Sequence, residues 1–175
     1  MTPDQLAKSG TEHGHQVAFF AYMAVAKLHG WTIADRWAET GEVPEWDGNL
    51  LALPCLEWLH AIPNGGSRDS DKKGAMIRGA AMKAEGVKAG VADIFLPVPL
   101  KERINNRDYY YYCGLYIEMK KPSQKPVRAD AKGGCSDDQL EFKDYALKNG
   151  YGWAVCYSWQ EAVSVVKSYL DYHYL

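Results

Sequence analysis

Residues 114–122, GLYIEMKKP, constrain the fold more tightly than any other stretch of the chain. Leu115, Tyr116 and Ile117 favour a strand, and Pro122, which cannot donate to a ladder, ends it. Successive strand side chains point to opposite faces, so Glu118 and Lys120 share one face while Ile117 and Met119 take the other. A carboxylate and an ammonium therefore sit side by side on a strand with apolar flanks. For an isolated Glu-x-Lys, the plainer explanation is an ion pair on a solvated sheet edge.

The remaining segments supply that strand with neighbours. Residues 11–30 read as a helix rich in Ala and aromatics, closing at Gly30, with Glu12 and Gln16 four apart on one face of its first turn. Residues 31–54 read as an acidic, Trp-rich loop with room for one short helix, and residues 57–62 as a possible strand before a Pro-Asn-Gly-Gly turn. A helix is predicted over 71–86 with its stop at Gly86. Residues 86–99 form a strand entered through glycines and ended by prolines, with Asp93 the one acidic residue near its start. Residues 100–108 read as a hydrophilic loop leading to a strand over 109–121, and the two strands pair as an antiparallel hairpin. After a loop come a helix with Ser136 and Gln139 in capping-box spacing, a compact strand over 151–158, and a last helix capped from Ser158 to Glu161. A hairpin followed by a helical crossover and a further strand gives an α/β class, with a mixed β-sheet flanked by α-helices.

With 175 residues, the chain fits one domain, residues 1–175, and can bury a real core. The sequence shows no signal-peptide pattern and no uninterrupted apolar stretch of membrane-spanning length, so no membrane partner is expected. Cys55, Cys113, Cys135 and Cys156 are dispersed, with no spacing that suits zinc, and reduced thiols in an intracellular protein are the expectation. The net charge of −2 does not advertise a nucleic-acid binder, but its distribution is uneven. Lys120, Lys121, Lys125, Arg128 and Lys132 face only Asp130 within residues 120–132, a stretch suited either to a solvated loop or to a phosphate backbone.

Asp93 and Glu118 fall on adjacent strands, and carboxylates set in an apolar sheet need compensation. A hard divalent cation such as Mg2+ supplies it, since it takes one or two carboxylates, waters and a phosphate oxygen. Lys120 would then face the phosphate, an arrangement suited to hydrolysing a phosphodiester. A salt-bridged pair beside a turn aspartate explains the same three residues equally well.

An aspartate followed by Glu-x-Lys on the next strand is the signature of the PD-(D/E)xK superfamily, and the surrounding text is more specific. Glu12-x-x-x-Gln16, the IPNGGSR turn at 62–68, GVKAGVADIFL at 86–96, GLYIEMKKP and SDDQLEFKDYALKNGYGWAVCYS at 136–158 occur in the order of a VRR-NUC nuclease domain. The chain resembles that family over nearly its full length. The resemblance implies a restriction-endonuclease-like core and Mg2+ or Mn2+ held by Asp93, Glu118, the main-chain carbonyl of Met119 and Glu12. It also implies Lys120 as the catalytic lysine, with Gln139 beside it. Gln16, Asn64, Arg68, Lys88, Lys121, Lys125 and Arg128 are the positions expected to meet DNA. Ala92 departs from the family's usual proline before the aspartate, and the segment 97–107 is longer than in the smallest members. Lys101, Arg103 and Arg107 on that segment are further candidates for the backbone. The tyrosines at 109–112 are expected to pack on both faces of their strand.

The implied activity is metal-dependent DNA cleavage, with branched DNA such as a four-way junction as the favoured substrate and a homodimer as the acting form. The implied setting is the cytoplasm of a bacterium or phage-infected host. Residues 31–58 would be a family-variable insert. Other readings of the same residues are a restriction-type duplex endonuclease, a catalytically silent DNA-binding or scaffolding module of the same fold, and a metal-free protein whose charges neutralise one another.

Overall fold

A computed structural model describes residues 1–43, 52–63, 72–128 and 132–171; the side chains of residues 72, 73, 75, 78 and 103 are not described. Asn64 and Arg68 lie outside the described residues, as does much of the acidic stretch before residue 52.

The short helix α1 (Pro3–Ala7) is closed by a capping box between Thr2 and Gln5 and leads into the long helix α2 (Glu12–Thr40). Thr11 caps α2 by accepting from the Gly14 amide. The helix does not end at Gly30 as its sequence suggests. It breaks there, at φ 79° and ψ 175°, a conformation open essentially to glycine, and resumes at Trp31, so the first ten residues of the expected loop are helical. By length and mean composition α2 is apolar enough to cross a membrane, though it contains no uninterrupted apolar run of that length. In this fold one side of it, including Ala18, Phe19, Tyr22, Met23 and Ala26, is in the protein core.

A four-stranded sheet lies against that side, in the order β1 (His60–Ala61), β2 (Ile94–Leu96), β5 (Leu115–Met119), β6 (Gly152–Cys156). The first three strands are antiparallel and β6 runs parallel to β5, which makes the sheet mixed as expected. Helix α3 (Lys72–Ala84) precedes β2, and helix α4 (Asp137–Lys148) is the crossover from β5 to β6. The last helix, α5 (Trp159–Asp171), buries Trp159, Ala162, Val163, Val166, Tyr169 and Leu170 at helical spacing.

Period-2 alternation divides the sheet cleanly. Ile94, Leu96, Leu115, Ile117 and Met119 fill the core, while Phe95 and Tyr116 turn to the other face and stack with ring centroids 4.4 Å apart. Phe142 of α4 meets Tyr116 edge-on at 5.1 Å, so α4 covers the face that also carries Glu118.

Two expectations fail between β2 and β5. The hydrophilic segment is not a loop: β3 (Leu100–Ile104) and β4 (Arg107–Tyr112) form a separate two-stranded sheet, turned at Asn105 and Asn106, both of positive φ. The tyrosines at 109–112 do not pack on both faces, since all four are exposed. Beyond Leu100 at its base the hairpin makes no core contact, so it has no hydrophobic alternation by which its sequence announces it.

Candidate active site

The register places the site. Ile94 pairs with Ile117, so Asp93, in the bend before β2, comes beside Glu118 on the same sheet face. The Met119 amide donates to Asp93 Oδ2 at 2.8 Å, fixing the aspartate to the strand that carries its partner. Gly90 allows the approach: at φ 83° it lies so close to Asp138 that a Cβ would collide with the Asp138 carbonyl oxygen. The glycines before the aspartate thus seat its loop on the start of α4.

Glu118 is 1% exposed and Lys120 7%, so the pair is not on a solvated edge. Lys120 Nζ lies 2.7 Å from Glu118 Oε1 and donates to Gln139 Oε1 at 3.0 Å. Gln139 Nε2 donates to the same Glu118 oxygen at 2.5 Å. Its Oε1 also accepts from the Ser136 amide at 2.9 Å, and the Gln139 amide donates to Ser136 Oγ at 3.2 Å. One side chain therefore completes the helix cap and binds the strand pair. Glu118 Oε2 is buried and, among the described residues, has no hydrogen-bond partner.

An orphaned carboxylate oxygen in this setting is costly. Burial first, and then the Asp93 charge, push the Glu118 carboxyl up to about 7 against the pull of Lys120, and Glu12 adds to the rise. Burial alone would depress the Lys120 ammonium, but the hydrogen bond and charge of Glu118 outweigh it and hold Lys120 above its ordinary value. The site is an electronegative point with one oxygen free to accept.

Hard oxygen donors, one of them lacking any partner, suit Mg2+ or Mn2+. Among the described residues no three His, Cys, Asp or Glu side chains form a metal-holding group. Asp93 and Glu118 are thus the two carboxylates at hand. Glu12, at the start of α2, acts on Glu118 through its charge. Gln16 is half-buried one turn further along the same helix.

The remaining positions are spread around this centre. Lys121 and Arg128 are exposed on the strap that follows β5. Lys125 is in an ion pair with Glu161 at 2.7 Å, which ties the strap to the start of α5. Lys88 lines an open cavity between the loop before Asp93 and α4, with Asp138, Glu141 and Tyr145 on the helix side. Sequence reasoning missed Gly133, whose carbonyl accepts from Tyr157 Oη at 3.0 Å and anchors the strap's far end. Its signal was the Gly133–Gly134 pair just before the cap, both of positive φ.

No family model matches the sequence, and no curated protein does. Among solved structures, one described as "VRR_NUC domain protein" aligns with a TM-score of 0.51 at 20% identity, over 93% of this chain and 89% of that one. With a mixed sheet, a crossover helix over the Asp93–Glu118 face and that alignment along nearly its whole length, the chain has the fold of a VRR_NUC domain protein.

Proposed function

We propose that the chain is a metal-dependent endonuclease that hydrolyses DNA phosphodiesters. The observation that carries this reading is Glu118 Oε2, buried without a partner among the described residues, beside Asp93, while Lys120 and Gln139 occupy the other oxygen. A purely structural ion pair has no use for that asymmetry, because filling both oxygens would cost less.

Asp93 and Glu118 would hold Mg2+ or Mn2+, with the Met119 carbonyl and Glu12, directly or through water, completing the set. Bound there, such an ion offsets charge on the phosphate and makes water a better nucleophile. The protein does the rest. Lys120 keeps its proton and presents a fixed ammonium to a phosphate oxygen. Gln139 holds Lys120 and Glu118 in register, so neither has to reorganise when a substrate arrives. Gln16, Lys88, Lys121 and Arg128 belong to the DNA contact in this reading, with Asn64 and Arg68 from the sequence that follows β1. Branched DNA and action as a homodimer enter the proposal by likeness to the family.

The test is cleavage of a matched set of labelled DNAs, comprising a four-way junction, a flap, a single strand and a plain duplex, with Mg2+, Mn2+ or EDTA, beside Glu118→Ala. Metal-dependent cutting that disappears in the variant supports the reading, and the substrate ranking decides the branched preference. Binding without cutting of any substrate would make the chain a silent DNA-binding module.

A further inference from the structure

The open cavity between α4 and the loop before Asp93 has a volume of about 640 Å³, within the range of pockets that hold small organic ligands. Lys88 and Val91 line it from the loop, while Asp138, Glu141, Phe142 and Tyr145 line it from one face of the helix. Both walls lead straight into the site already described. Val91 is two residues before Asp93, and Asp138 immediately precedes Gln139, which bonds Glu118. The walls meet where Gly90 packs on Asp138.

The helix wall is aromatic and graded in exposure. Phe142 is fixed, edge-on to Tyr116 at 5.1 Å and to Trp153 at 5.7 Å. Tyr145 stacks on Phe142 with ring centroids 6.2 Å apart, yet is 61% exposed. The charges of the lining are also uncommitted. Lys27, Lys101, Lys125, Lys132 and Lys167 are each paired with an acid, whereas Lys88, Asp138 and Glu141 share one cavity and, among the described residues, none of them is in an ion pair.

We propose that this cavity takes an unpaired nucleobase of the strand being cut, which rests on the nuclease reading and adds a substrate class to it: DNA with an unpaired base beside the bond to be hydrolysed. A base offers a flat π face together with an edge of donors and acceptors. Tyr145, backed by Phe142, is a platform for the face, a contact open to every base. Ionised Asp138 and Glu141 only accept hydrogen bonds and Lys88 only donates them. Two carboxylates would repel a phosphate, but they suit the exocyclic amino groups of adenine, cytosine and guanine, which thymine lacks. A base already out of the stack enters without breaking a pair, so the cavity favours unpaired over paired DNA. The helix that holds Glu118 through Gln139 thus also holds the substrate.

The experiment is fluorescence anisotropy in Ca2+ with labelled duplexes that differ at one position: fully paired, one bulged adenine, and the same bulge with its base removed. The unaltered chain should bind the bulged adenine about tenfold more tightly than either of the others. Tyr145→Ala should bind all of them alike, and Tyr145→Phe should keep the preference. A bulged thymine should bind several-fold more weakly than adenine, and Asp138→Asn with Glu141→Gln should narrow that difference. These side chains are exposed, and circular dichroism melts verify that each variant is folded. Equal affinity for the adenine bulge and the baseless bulge overturns the proposal and leaves the nuclease reading standing, whereas failure to bind any of the duplexes overturns both. A preference for the adenine bulge that survives Tyr145→Ala puts the base elsewhere and overturns the proposal as well.

Discussion

Gln139 donates from Nε2 to Oε1 of Glu118, twenty-one residues away in sequence, while its own Oε1 receives both the Ser136 amide and the Lys120 ammonium. Every polar atom of that amide is thus assigned. The helix cap and the strand pair demand the same orientation of it, so α4 cannot be capped in this way without also placing Nε2 against the carboxylate.

That double duty can be separated. Glu is as good as Gln at the third position of a capping box, so Gln139→Glu should fold with a melting temperature close to that of the unaltered chain. It also sets a second carboxylate against Glu118 in place of a donor. Cleavage should fall by more than about a hundredfold, on the scale of losing a positioned donor. Gln139→Ala keeps the Ser136 Oγ bond but loses the return bond from the Ser136 amide, so it should lose activity together with up to about 1 kcal/mol of stability. Thermal melts paired with a cleavage assay check this; an active Gln139→Glu would remove the Nε2 contact from the mechanism.

The pH dependence of stability should carry the signature of Glu118. Its folded carboxyl titrates near 7, above its ordinary 4.5, so the native state holds a proton that the unfolded chain has released in between. The associated stability is fully present below about 4.5 and is lost as pH rises through 7. Over that window the metal-free chain should lose on the order of 3 kcal/mol. Urea melts in EDTA at about pH 5 and about pH 7.5, which bracket most of that titration, measure it, and Glu118→Gln should remove most of the difference. A profile identical in the variant would show that Glu118 titrates normally.

Metal binding distinguishes the two carboxylates from the lysine. Asp93→Asn and Glu118→Gln should each abolish Mn2+ binding by calorimetry. Lys120→Met should retain binding yet cleave no DNA, because its ammonium is assigned to the phosphate. Removing the metal from the unaltered chain with EDTA should lower its melting temperature, as expected when a ligand binds the native state alone. Mn2+ uptake by Glu118→Gln equal to that of the unaltered chain would contradict the assignment.

The sequence made the centre legible and left its periphery obscure, for a physical reason. Asp93, Glu118 and Lys120 are charges inside apolar runs, and strand alternation alone puts the last two on one face. The cap of α4 was visible as Ser136 with Gln139. By contrast, residues 100–108 are polar on both faces in a hairpin that touches no core beyond its base, so nothing in their hydropathy separates strand from loop; the Asn105–Asn106 turn was the sole signal. The tyrosines at 109–112 misled because β-propensity reports a pleated conformation and not burial. Gly30 likewise marked a true break in helical geometry, while the continuation beyond it depended on tertiary packing, with Ala34 and Trp37 buried.

The last prediction concerns the strap after β5, where three cations equivalent in sequence are unequal in the fold. Lys125 is bonded to Glu161, which also accepts from the Tyr157 amide, so its charge is largely offset before DNA arrives. Lys121 and Arg128 are exposed, and neither is in an ion pair among the described residues. Counterion release counts phosphates newly neutralised, so only cations free to pair contribute to the salt dependence. Lys121→Ala and Arg128→Ala should each reduce the slope of log K against log salt by about one, measured by fluorescence anisotropy with a labelled junction in Ca2+. Lys125→Ala should change the slope by much less and instead loosen the strap, seen as faster amide exchange over residues 122–128. Equal slope changes from all three would mean that the Lys125–Glu161 pair opens when DNA binds.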